Sequence, residues 1–125
     1  MNIDKLKKIH QDTTTTCLDI MVKKNSDYTG GKGASDVFAN FNASVFIDVH
    51  PVSGLLMRLM DKVQRVRSFV NDSELQVANE SVEDAFDDIV NYAILGKAML
   101  IEEREKQKAL LVDEADTTDK YPFIK

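Results

Sequence analysis

Five acids crowd into one short stretch, Glu80, Glu83, Asp84, Asp87 and Asp88, with Asn91 just beyond them. On a helix Asp84, Asp88 and Asn91 fall four and three apart and line one face, while Glu83 and Asp87 line the neighbouring one. Carboxylates packed this way repel each other, and a hard cation such as Mg2+, bound through oxygen, relieves the repulsion. A second group, Arg58, Asp61, Lys62 and Arg65, sets three cations and one carboxylate on one helix surface. That chemistry suits phosphates, with Asp61 supporting a metal. Taken alone, each group has a plainer account. Acids gather at helix starts because the helix dipole favours them there. The basic group reads as a solvated face with an Asp61–Arg65 pair worth a few tenths of a kcal/mol. Facing each other across two helices, the patches are complementary, and a bundle interior is a usual place for such a site.

A third group, Lys24, Asp27 and Tyr28, precedes Gly30-Gly31-Lys32-Gly33. The phosphate-binding P-loop pattern fails here, because no glycine stands five before Gly31 and Gly33 replaces the hydroxyl residue. A surface loop or a lid over a neighbouring site remains. His10 and His50 lack spaced histidine or cysteine partners, which argues against zinc. Cys17, on an apolar face, reads as core rather than nucleophile. Phe38, Phe41 and Phe46 read as a buried helix face rather than a stacking platform.

The elements that must carry these groups are helical. Ile3, Leu6, Ile9, Thr13, Cys17, Ile20 and Met21 recur at three- and four-residue steps and predict a first helix from Ile3 to Lys24, capped by Asn2. The β-branched run Thr13–Thr16 is its weak part. Val37, Phe38, Phe41, Val45 and Val49 predict a second helix, ended by His50-Pro51 because the residue before proline is pushed out of helical geometry. A third runs from Leu55 to about Phe69 with a buried stripe of Leu56, Leu59, Val63, Val66 and Val70. Ser81 and Asp84 form a capping-box variant. They open a fourth helix, patterned by Phe86, Ile89, Ala93, Gly96 and Leu100, that ends near Ala109, with Glu102 and Lys106 paired across one turn. The expected fold class is all-α: a four-helix bundle-like domain over 1–111 with a short C-terminal tail over 112–125, acidic and then apolar at Tyr121-Pro122-Phe123-Ile124.

With 125 residues, 43% hydrophobic and 30% charged, the chain has room for one domain and one core. A net charge of −5 argues against coating a nucleic-acid backbone, yet leaves room for a local basic cluster that holds a small anion. The single cysteine excludes an internal disulfide framework. No apolar run reaches the roughly 18 residues of a membrane span. A reducing cytoplasm is the expected location.

The order of the motifs is more specific than any one of them. Lys24-x-x-Asp27-Tyr28, Asn40-Phe41, Gly54 with Arg58-x-x-Asp61-Lys62-x-x-Arg65, and Glu83-Asp84-x-x-Asp87-Asp88-x-x-Asn91-Tyr92 follow one another along the chain. This succession resembles nucleotide modification associated domain 1, a family of phages and bacteria. That family is in turn similar to the all-α nucleoside triphosphate pyrophosphatases of the MazG and dimeric dUTPase type. The resemblance implies a homodimer or tetramer and a Mg2+ (or Mn2+) ion held by carboxylates of two adjacent helices. It also implies cleavage of a nucleoside triphosphate between its α and β phosphates. On that reading Asp61, Asp84 and Asp88 are the metal ligands, with Asp87 or Glu83 as helper or base. Arg58, Lys62 and Arg65 hold the polyphosphate, Asn91 contacts ligand or metal, and Lys24, Asp27 and Tyr28 close over base or sugar. One departure stands out: the pyrophosphatases carry a Glu-Glu-x-x-Glu pattern on the preceding helix, where this chain offers only Asp61 unless Glu74, Glu80 or water contributes. Three expectations follow: a Mg2+-dependent pyrophosphohydrolase acting on a free nucleotide, a non-catalytic nucleotide binder on the same scaffold, and a helical interaction module.

Overall fold

The structure, a computed structural model, describes residues 1–28, 37–72 and 81–113. It is all-α, with three long helices, α1 (Ile3–Tyr28), α3 (Pro51–Asp72) and α4 (Val82–Asp113), and no strand among the described residues. The expected second helix is much shorter. Residues Ala39–Asn42 form one turn, α2, which tightens into a 3-10 helix over Ala43–Ile47. Asp48 ends it in the left-handed conformation, at φ 57°, where its N–H reaches the carbonyls of Ser44 and Val45. The chain therefore turns two residues before His50-Pro51.

Each long helix starts on a side-chain cap. Asn2 Oδ1 accepts the Lys5 N–H at 2.9 Å. Ser81 and Asp84 form the expected reciprocal box, at 3.0 and 3.2 Å. At α3 the cap is His50, whose Nδ1 accepts the Val52 N–H at 3.1 Å, while Pro51 takes the first helical position. This pairing leaves the proton on Nε2, which donates to Glu103 at 3.0 Å. In α1 the threonine run stays helical; Thr14 turns its hydroxyl back onto the His10 carbonyl at 2.9 Å.

Contacts between His50 and Glu103, Leu55 and Gly96, and Lys62 and Asp88 show that α3 and α4 lie antiparallel. The core is Leu55, 1% exposed, with Phe38, Phe41 and Met99, flanked by Val52, Tyr92, Leu95 and Ala98. Burying such a side chain is worth about 1.5–3 kcal/mol. The expected stripes hold in part: Cys17 and Gly96 are buried and Leu59, Val66 and Ile89 half-buried, while several other members are exposed. On α3 Leu55 is the residue buried, while Leu56, Val63 and Val70 are exposed. On α4 Ala85, Asn91, Gly96 and Met99 are buried, and Phe86 and Leu100 are exposed. Phe46 is 91% exposed, because the 3-10 turn points it away from Phe38 and Phe41. In α1, Cys17 is buried, whereas Ile3, Leu6 and Ile9 are exposed.

Two glycines permit close approach. A Cβ at Gly54 would lie 2.5 Å from Ser44 Oγ, so α3 starts pressed against the 3-10 turn. A Cβ at Gly96 would lie 3.4 Å from Leu55 Cδ2, an ordinary contact distance. Gly96→Ala is therefore expected to stabilise the protein by up to about 1 kcal/mol through helix propensity. A lower urea midpoint in this variant would show that the contact has no room for a methyl group.

Candidate functional site

Cys17 fastens α1 to α4 through two contacts. The Cys17 carbonyl accepts a hydrogen bond from Asn91 Nδ2 at 3.0 Å, and the Cys17 thiol points at the Asp87 carbonyl, 3.6 Å away. Burial, followed by the charges of Asp87 and Asp88, pushes the thiol pKa above its ordinary value, so Cys17 stays protonated and structural.

One turn further, three helices meet at Asp88. Its Oδ2 lies 2.9 Å from Lys62 Nζ of α3, and its Oδ1 lies 3.4 Å from Lys24 Nζ of α1. The side chains of Asp88 and Lys62 are only 17% and 16% exposed, and Lys24 is half exposed. The two oxygens of one carboxylate thus serve two ammonium groups.

Beside this junction lies a cavity of about 230 Å3, walled by Met21, Phe38, Phe41, Tyr92 and Leu95 and bordered by Lys24, Arg58, Asp88 and Asn91. The Arg58 guanidinium sits 4.9 Å from the centre of the Phe41 ring, a cation–π distance. Asn91 is 8% exposed, and its Oδ1 has no hydrogen-bond partner among the described residues. The Cys17 carbonyl can only accept, so the amide NH2 must face it and the orphan atom is an acceptor. An unpaired buried acceptor costs about 1–3 kcal/mol, and folded proteins hold few of them. A second cavity, about 290 Å3, lies by His50 and Met99, where Glu103 pairs with His50 and Glu102 with Lys106.

The residues proposed from sequence separate into groups. Lys24, Asp88 and Asn91 come together on the cavity with Arg58, and Lys62 pairs with Asp88 from α3. Asp61 and Arg65 pair with each other at 3.2 Å, with Asp61 61% exposed, and neither borders the cavity. Asp84 is engaged in the cap of α4, and Glu83 is exposed beside it. Asp27 and Tyr28 belong to the last turn of α1, and their side chains lie outside the described residues, as do Glu74, Glu80 and the glycine loop.

The three carboxylates expected to bind metal, Asp61, Asp84 and Asp88, therefore do not converge. The first is held by Arg65, the second by the Ser81 N–H, and the third by two lysines. No group of three potential ligands for a metal occurs among the described residues. The donor set described does not fit a divalent cation.

Asp87 is half-buried, and its carboxyl pKa is raised, first by burial and then by the charges of Asp84, Asp88 and Glu83. The folded protein then holds this proton more tightly than the unfolded chain does. The carboxyl costs nothing in acid, where both states are protonated. Its cost grows as pH rises past the unfolded value and is complete above the folded one. Asp87→Asn is expected to stabilise the protein near neutral pH, with the gain vanishing in acid; melting curves at several pH values check this.

Sequence reasoning missed Phe41 and Tyr92 as cavity walls. Both stood beside motif positions, Asn40-Phe41 and Asn91-Tyr92, and an aromatic next to a polar motif residue was the available signal.

The family model of nucleotide modification associated domain 1 matches residues 48–102. The match takes in Arg58, Lys62, Asp88 and Asn91, and stops short of Lys24, Phe38 and Phe41. It spans a little under half of the chain. No curated protein and no solved structure matches.

Proposed function

We propose that the chain binds a nucleotide in the cavity between the end of α1, the 38–41 turn and α4. The observation that carries this reading is the orphaned Asn91 acceptor on the border of an aromatic cavity that also bears Lys24 and Arg58. Each part of a nucleotide has a counterpart there. A base fills apolar space against Phe41 and Tyr92 and offers an N–H to Asn91 Oδ1, while phosphates face Lys24 and Arg58. The family matched over 48–102 carries nucleotide modification in its name, which supports the same class of ligand.

The test is a panel of NTPs, dNTPs and nucleosides read by thermal stabilisation, with and without Mg2+, beside a pyrophosphate-release assay. Binding raises the melting temperature by mass action. Stabilisation by nucleotides without metal is the expected result. No stabilisation by any member would remove the reading. Metal-dependent pyrophosphate release that disappears in Asp88→Asn would instead establish the pyrophosphohydrolase that the resemblance implies. Such a result would require ligands from outside the described residues.

The chain is also proposed to act as a homo-oligomer. Leu56, Met60, Val63 and Val70 stand exposed at four-, three- and seven-residue steps along α3, the spacing of a helix–helix seam that a second copy would cover. No helix among the described residues is long and apolar enough to cross a membrane. Light scattering decides the oligomer question; a monomeric mass at every concentration would remove it.

A further inference from the structure

We infer that the cavity selects nucleotides whose base carries an amino group, as adenine, cytosine and guanine do, over those of thymine and uracil, and that Asn91 reads the difference. The inference rests on the nucleotide reading above and names the class of base that the site takes. The Asn91 amide is fixed in one orientation. Its Nδ2 donates to the Cys17 carbonyl at 3.0 Å, and a flipped amide would set oxygen against oxygen there. Asn91 is 8% exposed, so what it offers the cavity it borders is one fixed acceptor, Oδ1, with no partner of its own. Asp88, one turn earlier on α4, borders the same cavity with carboxylate oxygens, which also only accept.

A donor on the base satisfies this side of the cavity, and a carbonyl does not. An amino group stands out from the ring with two N–H bonds. One goes to Asn91 Oδ1, and the other finds the lone pairs that Asp88 keeps beside its lysine partners. Thymine and uracil have no amino group, and the one N–H left to them in a nucleotide lies between two carbonyls. Presenting it to Oδ1 brings both carbonyl oxygens to the acceptor side of the cavity. The side chains around them, Phe38, Phe41, Leu95 and Ala98, have nothing to donate. Lys24 and Arg58 do donate, and on the nucleotide reading the phosphates occupy them. Thymine and uracil therefore enter only with carbonyls buried and unpaired. A site that hydrogen-bonds one group rejects the analogue lacking it far more strongly than an apolar pocket does.

Calorimetric titration of the full chain with dCTP and with dUTP, at one salt concentration and without metal, tests this. Sugar and triphosphate are the same in both, and the bases differ by the exchange of amino for carbonyl and by the ring proton that goes with it. dCTP is expected to bind roughly tenfold more tightly or better, the worth of a buried hydrogen bond made to a ligand. In Asn91→Leu the gap is expected to close through weaker binding of dCTP. Equal or tighter binding of dUTP by the wild type overturns the inference and leaves nucleotide binding standing, and so does a gap that survives unchanged in Asn91→Leu. If only purines bind, dATP and dITP make the same exchange of amino for carbonyl and carry the same outcomes. If Asn91→Leu does not fold, the wild-type comparison decides alone. Failure of every dNTP to bind overturns the nucleotide reading, and the inference falls with it.

Discussion

Leu55→Ala is expected to lower the stability of the fold by about 2–5 kcal/mol, the range for truncating a fully buried leucine. Leu55 is 1% exposed and is among the largest wholly enclosed side chains. It packs with Phe38, Phe41 and Met99, and its Cδ2 faces Gly96, where α3 and α4 come close. Truncation leaves a void at the point where the helices are already in contact, so collapse cannot fill it cheaply. In a chain of 125 residues a loss of this size removes a large share of the total stability. Urea denaturation checks it, through a lower midpoint at unchanged slope. A loss below about 1 kcal/mol would mean that the α3–α4 core is not the main source of stability.

The second large effect separates stability from binding. Asn91→Leu is expected to leave stability nearly unchanged and to lower nucleotide affinity by roughly tenfold or more, the worth of a buried hydrogen bond made to a ligand. The substitution deletes the 3.0 Å bond to the Cys17 carbonyl, worth about 1 kcal/mol. It also deletes the orphan Oδ1, whose burial costs a comparable amount or more. The Cys17 carbonyl lies inside α1 and keeps its place in the helical ladder. An apolar side chain of similar shape in this cavity also gains contacts with Tyr92 and Leu95. A residue selected for stability alone would not leave a buried acceptor unpaired; intact affinity in Asn91→Leu would remove Asn91 from the binding site. Thermal melts and calorimetry on the same preparation measure both quantities.

What the sequence disclosed was mostly local. The caps at Asn2 and Ser81 could be read because each needs only residues three apart, and both formed. All-α architecture followed from three- and four-residue periodicity without any strand pattern. The rotation of each helix was harder to read. On α3, Leu55 and Leu56 are equally apolar, and only the partner surface decides which one is buried. The second helix failed because Val37–Val49 has helical spacing, yet Asp48 adopts a left-handed turn that periodicity does not register. His50 was assigned to end one helix and instead caps the next, since a histidine Nδ1 can stand in for the usual oxygen.

The site shows the same division. Lys24, Lys62, Asp88 and Asn91 were each named from sequence, but as a base or sugar contact, a phosphate contact, a metal ligand and a ligand or metal contact. Their observed pairings join residues far apart in the chain, such as Lys24 with Asp88 and Cys17 with Asn91, and no spacing rule reaches that far. Asp61 and Arg65 paired along one helix as their four-residue spacing suggests.

An amide NMR titration with a dNTP locates the ligand directly. Shifts concentrated at Lys24, Phe38, Phe41, Arg58, Asp88, Asn91 and Tyr92 are expected, since these residues border one cavity. Saturating nucleotide that shifts nothing, or shifts only the far end near His50 and Glu103, would contradict nucleotide binding at the α1–α4 cavity.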